Sequence, residues 1–355
     1  MFRRSHPPLL ACLLLAAACA KSGEGDLGST SLRGYLGQLP AAEDGDDVIL
    51  VNYADLARAG ELAGVERPDD PGDVDAVQDW LAAVTGLRDT EGHAVAAIPP
   101  TTAGIERSAE MGAFVDDVGW SILDVDSYAE RDTPPGRVAV LDGDFDGGRL
   151  ARALDDAGDG VWVAGDPDGG YHPDDITPAR PLGQPLWLSL AGHRLRVSGT
   201  EEDVDPDGDT LADDPALDAL AGALDRHDVY TAMLAAGGSL GLDDVTDVIR
   251  GEQPAPGPRC EGLTGAAVGV ADDGDPLIVL ALTQASGGLA GANASVVEDV
   301  LRNGDDVMTE RPWSDIVTVE SVDVEDGVVV ATLRPADMLL GGWRSFLNTR
   351  AFPPC

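Results

Sequence analysis

Lysine is all but missing from this chain. Lys21 is the only one in 355 residues, and with arginine the cationic side chains number 23 against 64 of aspartate and glutamate. The formal net charge is therefore -41. Phosphate contacts need clustered Lys and Arg, so nucleic-acid binding is excluded as a function class. The acids run through every segment, which reads as a solvated surface of the kind found on proteins from saline habitats, where salt screens self-repulsion over a few ångströms. Aromatic residues make up only 5% of the chain, while apolar types reach 43%. Its cores are therefore expected to consist of Val, Leu and Ala, with isolated tryptophans such as Trp80, Trp120 and Trp313 as large packers. A membrane-length apolar run is also missing. Leu9 to Ala20 gives twelve residues, where a bilayer span needs about 20.

That short run has a different meaning. Arg3 and Arg4 form a basic start, the apolar stretch follows, and Leu15-Ala16-Ala17-Ala18-Cys19 supplies small residues before a cysteine, the pattern of a cleaved export signal. With Cys19 in that place, the segment resembles the attachment site of lipid-modified bacterial lipoproteins. The resemblance implies removal of residues 1–18, a diacylated Cys19, two acyl chains sufficient for stable anchoring, and a protein on the extracytoplasmic face of the cell membrane. Residues 19–47, rich in Gly, Ser and acid, are then expected to be a flexible acidic tether. An ordinary secretory signal, cleaved after Ala18 or Ala20, is the alternative.

Cysteine is scarce, at four in all. Cys12 leaves with the signal and Cys19 carries lipid, so Cys260 and Cys355 remain as an even pair. Outside the cytoplasm such a pair is expected to form a disulfide. Two cysteines 95 positions apart, with no CxxC and no histidine after His227, do not make a zinc set.

A mature chain of about 335 residues suggests two domains. Residues 48–251 form the first. Val48 to Tyr53 has strand length, and Asp73 to Leu87 places Val74, Val77, Trp80, Leu81 and Val84 on one helical face. Residues 136–236 then read as strand (137–141), helix (147–157), short strand (161–163), a hairpin turning at Gly192, helix (215–224) and strand (229–234). This order suggests the split βαβ plan of ferredoxin-like folds, an antiparallel sheet with helices on one face. The residues 252–258, with three prolines in seven, have linker composition. From 259 to 355 the theme repeats in another order, ββαββ, ending in a hairpin across Glu325-Asp326-Gly327. The fold class is α+β, with two sheet domains. A lipobox followed by paired α+β units, with phrases such as Gly143-Asp144-Phe145-Asp146, resembles the lipoproteins of high-GC actinobacteria; this likeness carries no catalytic signature and implies no activity.

Three constellations could carry chemistry. Asp203, Asp205, Asp207, Asp209 and Asp214 occupy places 1, 3, 5, 7 and 12 of an EF-hand-type loop, with Gly208 at 6, which is the spacing that wraps hard oxygens around calcium. Place 8 is Thr210, place 12 is the shorter Asp, and Pro206 stiffens the loop, so an acidic surface loop is the competing reading. Asp142-Gly143-Asp144-Phe145-Asp146-Gly147 repeats the first six places but ends in Ala153. Gly237-Gly238-Ser239-Leu240-Gly241 fits the GxSxG nucleophile elbow, yet every histidine precedes Ser239, and an α/β-hydrolase needs one after it. No general acid and base can be paired among so many carboxylates. The sequence thus points to a non-catalytic envelope protein of binding or assembly type, anchored to the membrane through lipid. It requires no cofactor, with calcium as the one ion to consider. A carboxylate-dependent hydrolase or a calcium-binding surface protein is the alternative.

Overall fold

Val-, Leu- and Ala-rich runs set between Gly, Asp and Pro become strands here because β-branched and apolar side chains fit a pleated, buried surface. The computed structural model describes residues 31–42, 48–86, 95–104, 110–133, 136–167, 173–204, 208–237, 260–305 and 311–335. The signal segment, Cys19, Ser239, residues 252–258 and Cys355 lie outside them. In chain order the elements are α1 (Leu32–Leu36), β1 (Ile49–Asp55), α2 (Leu56–Ala63), α3 (Val74–Val84), α4 (Met111–Val118), β2 (Val125–Thr133), β3 (Gly136–Gly143), α5 (Gly147–Ala153), β4 (Asp155–Gly158), β5 (Val161–Ala164), β6 (Leu186–Ala191), β7 (Arg194–Ser198), α6 (Glu201–Val204), α7 (Pro215–Arg226), β8 (Thr231–Ala236), β9 (Leu263–Asp272), β10 (Pro276–Gln284), α8 (Ala290–Asn303), β11 (Val317–Glu325) and β12 (Val328–Pro335).

All twelve strands join one antiparallel sheet, in the order β11-β12-β10-β9-β8-β1-β2-β3-β7-β6-β5-β4. The chain is therefore α+β, but its strand neighbours differ from the split βαβ plan. That plan places the first and last strands of the 136–236 unit side by side; here β1 and β2 lie between β8 and β3, and β3 pairs with β7 antiparallel. Local pattern reads strand order along the chain and not which strands become neighbours, and the β1 run from outside the unit takes the central place. Nor do the helices share one face. α1 and α7 pack on one side, while α2, α3, α4, α5 and α8 pack on the other, so the sheet is a middle layer buried on both faces. The helix expected over 147–157 stops at Ala153, where Leu154 turns extended. Asp155 and Asp156 would set negative charge against the negative end of the helix dipole.

The strand order reads the same from its centre outward. On one side of the β1–β8 pair come β2-β3-β7-β6, and on the other β9-β10-β12-β11. Each series is a hairpin, a helix on the same face (α5 or α8) and a second hairpin inserted beside the first. A helix and a strand precede each, α1–β1 and α7–β8. The halves are thus related by a local two-fold through the β1–β8 pair. Side-chain patterns agree: Leu32, Tyr35, Leu36 and Leu39 match Leu217, Leu220, Ala221 and Leu224 in spacing, and all eight are 0–1% exposed. Arg33 and Asp218, which hold the same place in the two patterns, form a bidentate ion pair. Asp146 caps α5 by accepting from the Gly148 amide, and Ser286 accepts from the Gly288 amide just before α8.

The segment read as a tether therefore ends earlier than Asp47. Leu32 to Leu39 belongs to the core, and the Asp225 carboxylate accepts from the Leu32 and Arg33 amides at 2.9 and 3.1 Å, holding the start of α1 against α7. In the second half α7 packs closely because β9 offers Gly265, Ala267, Gly269 and Ala271 beneath it; a Cβ on Gly265 would lie 2.9 Å from Leu220 Cδ1. The hairpin turn before β12 places Asp326 and Gly327 at φ 50° and 86°, the left-handed pair that a two-residue turn requires. Cys260, at the mouth of β9, is disulfide-bonded, and its sulfur lies 3.9 Å from the Asn293 carbonyl of α8. Asn293, 2% exposed, exchanges two hydrogen bonds with the Glu261 backbone. No described helix is long and apolar enough to cross a membrane.

Candidate functional site

The two halves diverge on the face beneath α1. Cross-strand pairing sets Ser127 of β2, Asp142 of β3 and Arg194 of β7 in one row, and the equivalent row of the second half, fixed by Arg194 and Val328 each opening a strand after a two-residue turn, holds Gly265, Thr283 and Val328. Asp142 Oδ1 accepts from Arg194 Nε at 2.7 Å and Oδ2 from Arg194 Nη2 at 2.8 Å. The Tyr35 hydroxyl reaches in from α1, donates to Asp142 Oδ2 at 3.0 Å and lies 2.7 Å from Ser127 Oγ. All four residues are buried, Arg194 most exposed at 8%. Burial, and then the Asp142 charge, raises the Tyr35 phenol far above its ordinary value, so it stays a neutral donor. His193, at the hairpin turn, is the solvent-facing member, its Nε2 3.8 Å from Asp142 Oδ1.

Chemically this arrangement is a closed clamp. Both carboxylate oxygens are occupied, Ser127 is bound to a phenol that cannot act as a base near neutral pH, and the bidentate guanidinium fixes the geometry. Its work is to seat α1 on the sheet. The equivalent row, Gly265, Thr283 and Val328, carries no charge, so the ion pair belongs to this half alone.

Next to the clamp, Arg131 donates through Nη1 to the Pro40 and Ala41 carbonyls at 2.8 Å each. Its Nη2 lies 3.6 Å from Asp203 Oδ2. The proposed calcium ligands meet this patch. Asp203 sits in α6, and its carboxylate accepts from Ser198 Oγ at 3.1 Å and Thr200 Oγ1 at 2.9 Å. Asp205 and Asp207 lie outside the described residues. The Asp209 carbonyl accepts from the Ala41 amide at 3.0 Å, and Asp214 caps α7 by accepting from the Ala216 and Leu217 amides at 2.8 and 2.9 Å. The first and twelfth carboxylates, which an EF-hand loop turns toward one ion, here face different partners. In the second copy of the pattern, Asp142 belongs to the clamp and Asp146 to a helix cap. Gly143 is required by close approach, since a Cβ there would lie 1.9 Å from the Asp124 carbonyl oxygen. Among the described residues no group of three or more His, Cys, Asp or Glu is arranged to hold a metal ion.

On the opposite face Glu130 is fully buried. It accepts from Thr101 Oγ1 and from the Thr102 amide at 3.0 Å, with Arg137 Nε at 3.6 Å from Oε1. Burial raises its carboxyl above the ordinary range. It caps the short 3-10 turn Thr101–Ala103 and pins the covering segment 95–104 to β2. The same segment makes three more such bonds, the Ala96 amide to the Tyr230 hydroxyl and the Ile98 amide to Thr231 Oγ1, each 3.1 Å, and the Tyr128 hydroxyl to the Ile98 carbonyl at 2.9 Å. His227 lies apart from both sites, 3.2 Å from Glu325 Oε1.

Sequence reading missed the clamp, though a signal was present. Arg194 and Arg196 alternate with Leu195 and Val197, which puts both arginines on one strand face, and Asp142 ends an apolar run. Tyr35 escaped because its helix falls in the stretch read as tether. No family model matches the chain, and no curated protein or solved structure does either.

Proposed function

We propose that the protein is a lipid-anchored envelope protein on the extracytoplasmic face of the cell membrane, non-catalytic, and of binding or assembly type. The observation that carries this reading is the use of its buried polar groups. Asp142, Arg194, Tyr35 and Ser127 saturate one another, and Glu130 is spent on capping a covering segment. Such groups fasten layers together and present no unoccupied acid, base or nucleophile to a substrate. Export is supported by the disulfide state of Cys260, which an oxidising compartment maintains; Cys355 is its partner in this reading, because the other two cysteines belong to the leader and the lipid site. α1 begins about a dozen residues after Cys19, so the anchor would hold the sheet close to the membrane. Cys19→Ala with cell fractionation tests the placement: the variant is expected in the soluble fraction, and equal membrane retention of variant and parent refutes the anchor.

A further inference from the structure

The local two-fold shows what one edge of this sheet can accept. β6 and β11 are equivalent, each the outer strand of its inserted hairpin. On its free side β6 takes up β5, with Trp162 opposite Leu188 and Ala164 opposite Leu186, and β4 follows beyond it. β11 has no such neighbour among the described residues and ends the sheet. The two described edges also differ in kind. β4 is four exposed residues containing Asp155 and Asp156, which is how a sheet blunts an edge. β11 runs for nine residues with four valines.

We propose that β11 is a strand-acceptor site for an extended peptide in which apolar and basic residues alternate; this rests on the binding reading above. Val317, Val319 and Val322 pack in the core that α8 covers, and Val324 follows beyond them; Val319, Val322 and Val324 stand opposite Leu333, Ala331 and Val329 of β12. Cover thins along the strand, from Val317 at 2% exposed to Val324 at 45%. An added strand would set alternate side chains beside Val322 and Val324 and extend that core, as Trp162 does beside Leu188. On the other face Asp323 is exposed, while the half-buried Glu325 is already paired with Arg226 at 3.1 Å, so Asp323 is the carboxylate that the intervening side chains meet. A bulge at Val319/Ser321 leaves Ser321–Glu325 as the regular run. Main-chain bonds supply affinity in such additions, and alternate side chains supply choice. Charge selects the occupant: a second copy would bring the same acids of a chain at -41, whereas a lysine- or arginine-bearing strand neutralises Asp323.

The test uses the mature chain and, as the probe, an end-capped octapeptide in which valine and lysine alternate. The control is a block octapeptide of the same composition, with all its valines preceding all its lysines. Both are read in about 1 M NaCl, where the screening length is about 3 Å. Amide hydrogen exchange is followed by peptide-resolved mass spectrometry, with light scattering for oligomeric state. The alternating peptide is expected to give saturable protection confined to 317–325. Affinity should fall at least tenfold in Asp323→Lys and in Val324→Lys, two exposed positions whose replacement leaves the far-UV spectrum unchanged. Four outcomes overturn the proposal: no protection, equal protection by the block peptide, protection spread over other acidic segments, or more slowly exchanging amides at 317–325 before any peptide is added than the bonds to β12 account for. In the last case dimers in light scattering identify a second copy as the occupant, and monomers identify another part of the same chain. None of these outcomes alters the fractionation result for Cys19→Ala, so the anchor and the edge fail separately.

Discussion

Replacing both buried charges of the clamp with apolar side chains, Asp142→Ala together with Arg194→Val, tests the role of the clamp. Each single change strands a charge. Asp142→Ala leaves the Arg194 guanidinium without the carboxylate that binds it at 2.7 and 2.8 Å, and Arg194→Val leaves Asp142 with the Tyr35 hydroxyl and, 3.8 Å away, the solvent-facing His193. Breaking a buried pair from one side costs about 3–5 kcal/mol. Removing both charges leaves an uncharged row, a replacement that is often neutral or better. The hydroxyls of Tyr35 and Ser127 still bond each other at 2.7 Å, so they need not be left unsatisfied. The expected result is two singles each destabilised by about 3 kcal/mol or more, a double within about 1 kcal/mol of the parent, and a coupling of several kcal/mol. Urea unfolding in about 1 M NaCl, followed by tryptophan fluorescence, gives all four corners of the cycle; a common m-value licenses the comparison. Additive losses, with coupling under about 0.5 kcal/mol, would refute the closed-clamp account.

Mild acid should stabilise the fold. Burial raises the carboxyls of Glu130, Asp55 and Asp225 above their ordinary values of 4.5, 3.8 and 3.8, so their contribution is fully present below those values and is lost as pH rises through the folded ones. The urea midpoint should climb as pH falls from 7 toward 5, and Glu130→Gln should flatten that slope; an unchanged slope removes Glu130 as a cause. Asp218, lowered by its hydrogen bond to Arg33, acts in a separate window, its contribution being lost only as pH falls below about 4. Cys260→Ser is expected to cost about 4 kcal/mol on the chain-entropy account of a loop near 100 residues. Non-reducing intact mass after alkylation should find no free thiol in the mature parent, and two alkylated thiols would end the Cys260–Cys355 pairing. Gly265→Val should cost about 1–3 kcal/mol by overpacking, since its Cβ falls 2.9 Å from Leu220 Cδ1 and 2.7 Å from Thr283 Oγ1; a melting temperature equal to the parent's would show that α7 yields freely.

How much of this was legible in the sequence depended on the range of the interactions. The hairpins at Gly192 and at Asp326-Gly327 were readable because a turn is settled by four consecutive residues. So was the face of α3, whose Val77, Trp80, Leu81 and Val84 are buried as their spacing requires. Strand neighbours were not readable. β1 lies between β8 and β2, whose paired residues are distant in the chain, as Asp55 is from Ser127, and its apolar run matches many antiparallel partners equally well. α1 was hidden for a related reason: five residues are too few to make a helix in isolation, and Leu32–Leu36 is ordered by what it touches, the Asp225 carboxylate, Asp218 and the Tyr35 clamp. Of the acids at calcium-loop spacing, Asp203 and Asp214 each have a nearer partner, while Asp205 and Asp207 lie outside the described residues. An amide at a helix start or a serine two to five residues away competes with any ion for the same lone pairs, and in a chain with 48 aspartates most carboxylates that fall at ligand spacing do so by composition. The internal two-fold, in contrast, was written in the sequence as the matching spacings of Leu32, Tyr35, Leu36, Leu39 and Leu217, Leu220, Ala221, Leu224. The repeat is clear only once the sheet shows that both stretches cover the same face, because leucines at intervals of three and four describe any amphipathic helix.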